Sequence, residues 1–234
     1  MNEIKARYDA LMALYGPQGW WPLGKGVRYH PRDYSIPAAH AKDSVFEVYL
    51  GAVLTQNGSW TGACASLLAL AALSALRPRA LLKLPQEILE DAIRPARYFR
   101  QKARYLCALA EFFLALKGRI PSRQELLAVL GVGRETADSI LLYAHHQPFF
   151  VVDAYTRRVF SAWGFISGKE DYDAIREMFE SSLPKDAAIF NEYHALIVRH
   201  ARAHYSRKPY GVDDPLAERN ASFLPQVKKK FHYY

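Results

Sequence analysis

Residues 126–158, LLAVLGVGRETADSILLYAHHQPFFVVDAYTRR, constrain the fold more than any other part of the chain. They set a Leu-x-Gly-x-Gly turn between two apolar segments of helical period. A lone carboxylate, Asp153, then follows the apolar run Phe149, Phe150, Val151 and Val152. Apolar residues at i, i+3 and i+4 on both sides of the turn predict two helices, over 123–130 and 133–145, joined as a hairpin. Glycines at 131 and 133 let backbone N–H groups of the turn come close to a ligand, because no Cβ stands in the way. Asp153 is placed to open another helix, where an acidic cap is favoured.

The same period runs through nearly the whole chain. Ile4, Tyr8, Leu11 and Tyr15 mark an opening helix that stops at Gly16-Pro17, and Val45, Val48, Tyr49, Ala52 and Val53 mark a second. Further helices are expected over 61–73, 86–93, 99–117, 153–163, 170–182 and 186–204, punctuated by Pro85, Pro95 and Pro121. Residues 149–152 form an isolated apolar run too short to imply a sheet, and read as an extended connector. The expected fold class is all-α. A middle bundle would span 41–148, with the hairpin at about 123–145, and a second lobe would form from 1–40 and 149–234. Lys102 and Arg104 are expected on the outer face of their helix.

With 234 residues, half of them hydrophobic, the chain can bury a sizeable core. A net charge of +8 favours a polyanionic partner. Cys64 and Cys107 fall in apolar helical patterns and read as small buried hydrophobes, too few for a disulfide framework or a thiolate metal site. His200 and His204 share a helix face with no third ligand in view, so no metal is expected. No apolar run approaches the ~20 residues that span a bilayer, and the start lacks a signal peptide's continuous apolar core. The chain therefore reads as cytoplasmic and soluble. Lys228–Lys230 read as a basic tail.

Two places can carry chemistry. Gly-x-Gly alone is an ordinary helix–helix turn. Here Gly133, Arg134 and Thr136 open the second helix, so free N–H groups, the helix dipole and a cation converge where a phosphate could sit. Asp153 can be a simple N-cap. A half-buried acid can also stay ionised beside a developing cation, or orient and deprotonate a water.

LxGVGRxTADSILLYA followed by VVDAYTRR, with LGAVLTQNGSW at 50–60 and IRPARYFRQKARYL at 93–106, resembles the helix–hairpin–helix DNA glycosylase superfamily, the endonuclease III group. The similarity runs from about residue 45 to 205. It implies two lobes, one a six-helix barrel, with the active site in the cleft, and duplex DNA containing a damaged base as the partner of a monomer. By the same resemblance Asp153 is the catalytic aspartate that stabilises an oxocarbenium-like sugar. Gln56, with Asn57 beside it, enters the DNA stack where a nucleotide is flipped out, and Gly131, Gly133, Arg134 and Thr136 contact the DNA. Bifunctional members carry a lysine where this chain has Glu135, 18 residues before Asp153. Glutamate forms no Schiff base, which implies hydrolysis by water without lyase activity.

Many relatives end in a four-cysteine iron–sulfur loop. Here HYSRKPYGVDDPLAERN at 204–220 contains no cysteine. Gly211, Asp214 and Asn220 stand at three ligand positions, with His204 or Tyr205 near the first. No cluster is expected, and hydrogen bonds of His, Tyr and Asp would take over its structural role. A monovalent cation at the hairpin is implied by the family.

Trp20, Trp21 and Pro22, LGAVLTQN and the missing cysteines are similar to the bacterial 3-methyladenine DNA glycosylase III branch. That likeness implies a bacterial, nucleoid-associated enzyme excising alkylated purines through an aromatic pocket of Trp20, Trp21, Pro22 and Trp60. A cationic alkylpurine gains roughly 0.5–2 kcal/mol from an aromatic face. Trp60 is expected one helical turn beyond Gln56, and Trp21 to be the stiffer of the tandem pair. The alternatives are an endonuclease III-like enzyme for mismatched or oxidised bases, and a non-catalytic hairpin DNA-binding protein.

Overall fold

A computed structural model describes residues 2–21 and 42–217; Pro22, Asn220 and Lys228–Lys230 lie outside the described residues. The helices are α1 (Glu3–Tyr15), α2 (Lys42–Leu54), α3 (Trp60–Ala72), α4 (Pro78–Leu81), α5 (Gln86–Ala92), α6 (Phe99–Ala115), α7 (Arg123–Leu127), α8 (Arg134–Ser139), α9 (Ala154–Ala162), α10 (Tyr172–Ser182) and α11 (Ala187–His204). A 3₁₀ turn occupies Arg94–Ala96, and α8 runs on into a π-helical turn, Ile140–Ala144. No strand occurs among the described residues, and 149–153 is extended connector. No described helix is long and apolar enough to cross a membrane. The fold class is all-α.

The described chain divides into two compact units. One holds 2–18, 150–185 and 192–217; the other holds 19–21, 42–149 and 186–191. Trp20 and Trp21 thus fall in the unit built around α2, not with the chain ends, because Trp21 packs onto Gly51, Trp60 and Tyr143.

In that larger unit α2 is the central helix. Phe46, Val48, Tyr49, Leu50, Val53 and Leu54 are all fully buried, so its burial extends well beyond one stripe. It packs against α3, α6 and the π turn. Lys102 is not on an outer face. It is 2% exposed, and its Nζ donates to the carbonyls of Leu54 and Ala96, both at 2.7 Å. Leu54 ends α2 and Ala96 ends the 3₁₀ turn, so the ammonium satisfies two carbonyls left over at helix termini. Burial pulls its pKa down to about 8. Arg104 is exposed as expected. Cys64 and Cys107 are free and only half-buried.

In the second unit, α1, α9, α10 and α11 enclose an aromatic core. Phe150 stacks on Phe179 with centroids 3.9 Å apart, and Phe160 and Tyr193 close around them edge-on. Tyr193 donates to the carbonyl of Ile4 at 2.8 Å, tying α11 to α1. The Phe150 backbone N–H donates to Glu180 at 2.9 Å, which anchors the start of the connector.

Candidate active site

The hairpin begins with a capping box. Ser122 accepts from the Glu125 backbone N–H, and the Glu125 carboxylate accepts from the Ser122 N–H. The first helix is shorter than expected, 123–127 rather than 123–130, because residues 128–132 already form the turn. Gly131 has φ +83°, and a Cβ there would lie 2.2 Å from the Tyr105 ring. Its glycine is therefore required by packing on α6 as well as by conformation. Gly133 has ordinary extended backbone and caps α8 without a side chain, and a Cβ there would meet open space. The two helices are locked by Arg123, which donates to both oxygens of Asp138 at 2.7 and 3.1 Å; Asp138 is fully buried.

Gln56 meets this hairpin directly. Its Nε2 donates to the Gly131 carbonyl at 2.9 Å and to Thr136 Oγ1 at 2.8 Å. Around it lies an open depression of about 570 Å³ lined by Gln56, Asn57, Tyr98, Lys102, Glu135 and Thr136, among others. Glu135 and Arg134 are exposed in the first turn of α8. Three non-glycine residues at or beside the depression have left-handed backbone: Asn57 (φ 47°), Arg97 (φ 60°) and Tyr98 (φ 47°). Such conformations cost of order 1–3 kcal/mol each and gather at functional sites. Tyr98 is 63% exposed, a large aromatic held at the rim. Sequence reasoning missed it, since no residue type there announces a positive φ.

Trp60 does not continue a helix from Gln56. The chain breaks through Asn57, Gly58 and Ser59, and Ser59 caps α3, whose first residue is Trp60. Trp20, Trp21 and Trp60 nonetheless come together. Their ring centroids are 5.0 Å (Trp20–Trp60), 5.8 Å (Trp20–Trp21) and 5.5 Å (Trp21–Trp60) apart. Tyr143, from the π turn, adds a fourth ring 5.1 Å from Trp21. Trp21 is the floor of this cluster, 6% exposed, while Trp20 and Trp60 are half-buried. Asn191 donates to the Trp20 carbonyl at 2.7 Å and holds the segment in place. A base sandwiched between two rings needs about 7 Å, two carbon–carbon contacts. The cluster therefore offers faces to stack on rather than an open slot.

In the other unit, Asp153 is the N-cap of α9. Its Oδ1 accepts from the Thr156 N–H at 2.7 Å and the Thr156 hydroxyl at 2.9 Å. Its Oδ2 faces His194 Nε2 at 3.7 Å, beyond hydrogen-bond distance. The carboxylate is 17% exposed. Burial pushes its pKa up, but His194 and the two Thr156 donors outweigh this and hold it below the usual carboxylate value.

The same unit contains a second buried carboxylate, Asp214. Oδ2 accepts from Trp163 Nε1 at 2.7 Å and the Tyr205 hydroxyl at 2.6 Å; Oδ1 accepts from the Leu216 N–H at 2.7 Å and faces His200 Nε2 at 3.0 Å. Tyr15 meets the other nitrogen of His200 at 2.9 Å, and Arg7 donates to the Leu216 carbonyl at 2.7 Å. This network lies in the stretch that the resemblance aligns with an iron–sulfur loop. The residues do not fit that cluster. Stretch 204–217 supplies no thiol, Cys64 and Cys107 belong to the other unit, and burial raises both of their thiol pKa values. No group of three or more His, Cys, Asp or Glu among the described residues is arranged to hold a metal.

Known proteins resemble this chain in sequence and in fold. Residues 50–185 match the family described as HhH-GPD superfamily base excision DNA repair protein. A putative DNA repair glycosylase of Methanocaldococcus jannaschii is 37% identical over 222 residues, covering 90% of this chain and 92% of its own. Endonuclease III of Sulfolobus acidocaldarius is 30% identical over 172 residues, 71% of this chain and 77% of its own. Among solved structures, a non-covalent endonuclease III–DNA complex superposes with a TM-score of 0.75 at 20% identity, covering 93% of this chain and 92% of that one. The H. pylori 3-methyladenine DNA glycosylase bound to 1,N6-ethenoadenine gives 0.68 at 25% identity, covering 86% and 97%. These matches place the chain in the HhH-GPD superfamily of base excision DNA repair proteins.

Proposed function

We propose that this base excision repair glycosylase hydrolyses the N-glycosidic bond of alkylated purines in duplex DNA. Asp153 acts at the sugar and no enzyme amine takes part. The observation that carries the substrate class is the cluster of Trp20, Trp21, Trp60 and Tyr143, four aromatic rings within 5–6 Å of their neighbours. Alkylation of a purine nucleotide at N3 or N7 leaves a delocalised positive charge, which such faces attract by roughly 0.5–2 kcal/mol. It also weakens the glycosidic bond, so little acid catalysis of the leaving base is needed. The likeness to a 3-methyladenine glycosylase supports the same reading.

In the reaction, the exposed hairpin turn with Gly133 and Arg134 would hold backbone phosphates, and Gln56 and Asn57 would fill the stack beside the flipped nucleotide. As the C–N bond lengthens, the ionised Asp153 would stabilise the cationic sugar, and water would complete the hydrolysis. Glu135 occupies the position at which an amine would be needed for a covalent intermediate, and a carboxylate cannot supply one.

A second reading, oxidised or mismatched bases, is favoured by the endonuclease III relatives. Incubation with dimethyl-sulfate-treated duplex and chromatography of free bases separates the two. Release of 3-methyladenine supports the alkylpurine reading. No such release, with cleavage of thymine-glycol or mismatched duplexes, supports the second. Borohydride trapping of a protein–DNA adduct would overturn the hydrolytic mechanism.

A further inference from the structure

The two oxygens of Asp153 have different surroundings. Oδ1 is fixed by both donors of Thr156, whereas among the described residues Oδ2 has only His194 before it, at 3.7 Å. With one oxygen anchored, an aspartate carboxylate can still swing about its second side-chain torsion, a broad and soft one. A neighbour on the Oδ2 side limits that swing. His194 suits this task, because its imidazole is 8% exposed and its helix turn is doubly anchored. Tyr193 is bound to the Ile4 carbonyl, and Glu192 accepts from the backbone N–H of Gln18. The groups acting on the Asp153 charge are Thr156 from α9 and His194 from α11.

We propose that His194 is a positioning residue for base release: it holds Oδ2 of Asp153 in the orientation and charge state used at the sugar. This rests on the reading of Asp153 as the acting carboxylate. His194 works through Asp153 rather than on the DNA. Because misplacement of a reacting group by about 1 Å can cost ~100-fold, an effect on rate without an effect on binding is expected.

The test is single-turnover release of 3-methyladenine from methylated duplex by wild type, His194→Ala, His194→Gln and Asp153→Asn, with duplex affinity measured in parallel. His194→Ala should lower the rate about 10–100-fold with affinity within about twofold. His194→Gln, whose amide nitrogen reaches the region of Nε2, should recover most of the rate. The acid limb of the pH–rate profile should move to higher pH in His194→Ala, since Asp153 loses a group that keeps it ionised. A uniform drop at every pH, or a rate within twofold of wild type, would overturn the proposal. If the alanine variant fails to fold by thermal melting, the glutamine variant decides by the same shift of the acid limb. Turnover retained by Asp153→Asn would instead sink the underlying reading of Asp153, and no release by wild type would sink the substrate class.

Discussion

Asp153 and Asp214 are two carboxylates of the same unit, both held below the usual pKa by their neighbours, yet their oxygens are engaged differently. Asp214 is fully buried, and four groups address its two oxygens: Trp163, Tyr205, the Leu216 N–H and His200. Nothing of it is left for a ligand. Asp153 uses one oxygen for its own helix cap and keeps the other, partly exposed, opposite a single histidine among the described residues. A saturated carboxylate fastens a fold, and an unsaturated one can act on a substrate. Among the described residues, this fastening ties Tyr205 and Leu216 to Trp163 and His200.

The largest expected effect separates the two by chemistry. Asp153→Asn should lower excision by about 10³-fold or more. Asparagine caps a helix as well as aspartate does, so stability should change by less than ~1 kcal/mol in urea unfolding. Asp214→Ala should do the reverse. Removing the shared acceptor strands buried donors and a histidine, which costs about 3–5 kcal/mol, while single-turnover excision per folded molecule stays within about threefold.

The sign of the pH dependence sharpens the contrast. The folded pKa of Asp214 is depressed, so its contribution to stability is present above the unfolded value of about 3.9 and is lost as pH falls through the folded value. The stability gap between wild type and Asp214→Asn, followed by urea midpoints, should be full at pH 7 and shrink below about pH 4. The smallest effect is expected for Thr156→Val. It removes one of two donors to Oδ1 and keeps the backbone cap, a loss of ~1 kcal/mol that would slow excision about fivefold. A change as large as that of Asp153→Asn would mean that the Oδ1 side carries the chemistry.

Most helices were legible because an amphipathic helix writes its period into the chain. Expected spans 170–182 and 186–204 became Tyr172–Ser182 and Ala187–His204. What failed needed a partner from elsewhere. The π turn at Ile140–Ala144 has no residue signature, and it carries Tyr143 to Trp21. Lys102 read as solvated because a cation usually is; the two carbonyls that take it inward belong to residues 48 and 6 positions away. Trp60 does not lie one helical turn beyond Gln56, because α2 ends at Leu54 and Asn57's positive φ, invisible in sequence, breaks the path. The hairpin and Asp153 stood out through local pattern. His194 did not, since a histidine among apolar helix residues looks like core until the α9 cap is folded against it. The Asp214 network was foreseeable in kind, from His, Tyr and Asp in place of cysteines, but its tie to Trp163 and Arg7 required the fold.

The most direct measurement pairs single-turnover release of 3-methyladenine with urea unfolding for Asp153→Asn and Asp214→Asn. The expected result is a double dissociation: Asp153→Asn stays folded and inactive, and Asp214→Asn is destabilised but active per folded molecule. Activity retained by Asp153→Asn, or lost by folded Asp214→Asn, would contradict the division of labour between the two carboxylates.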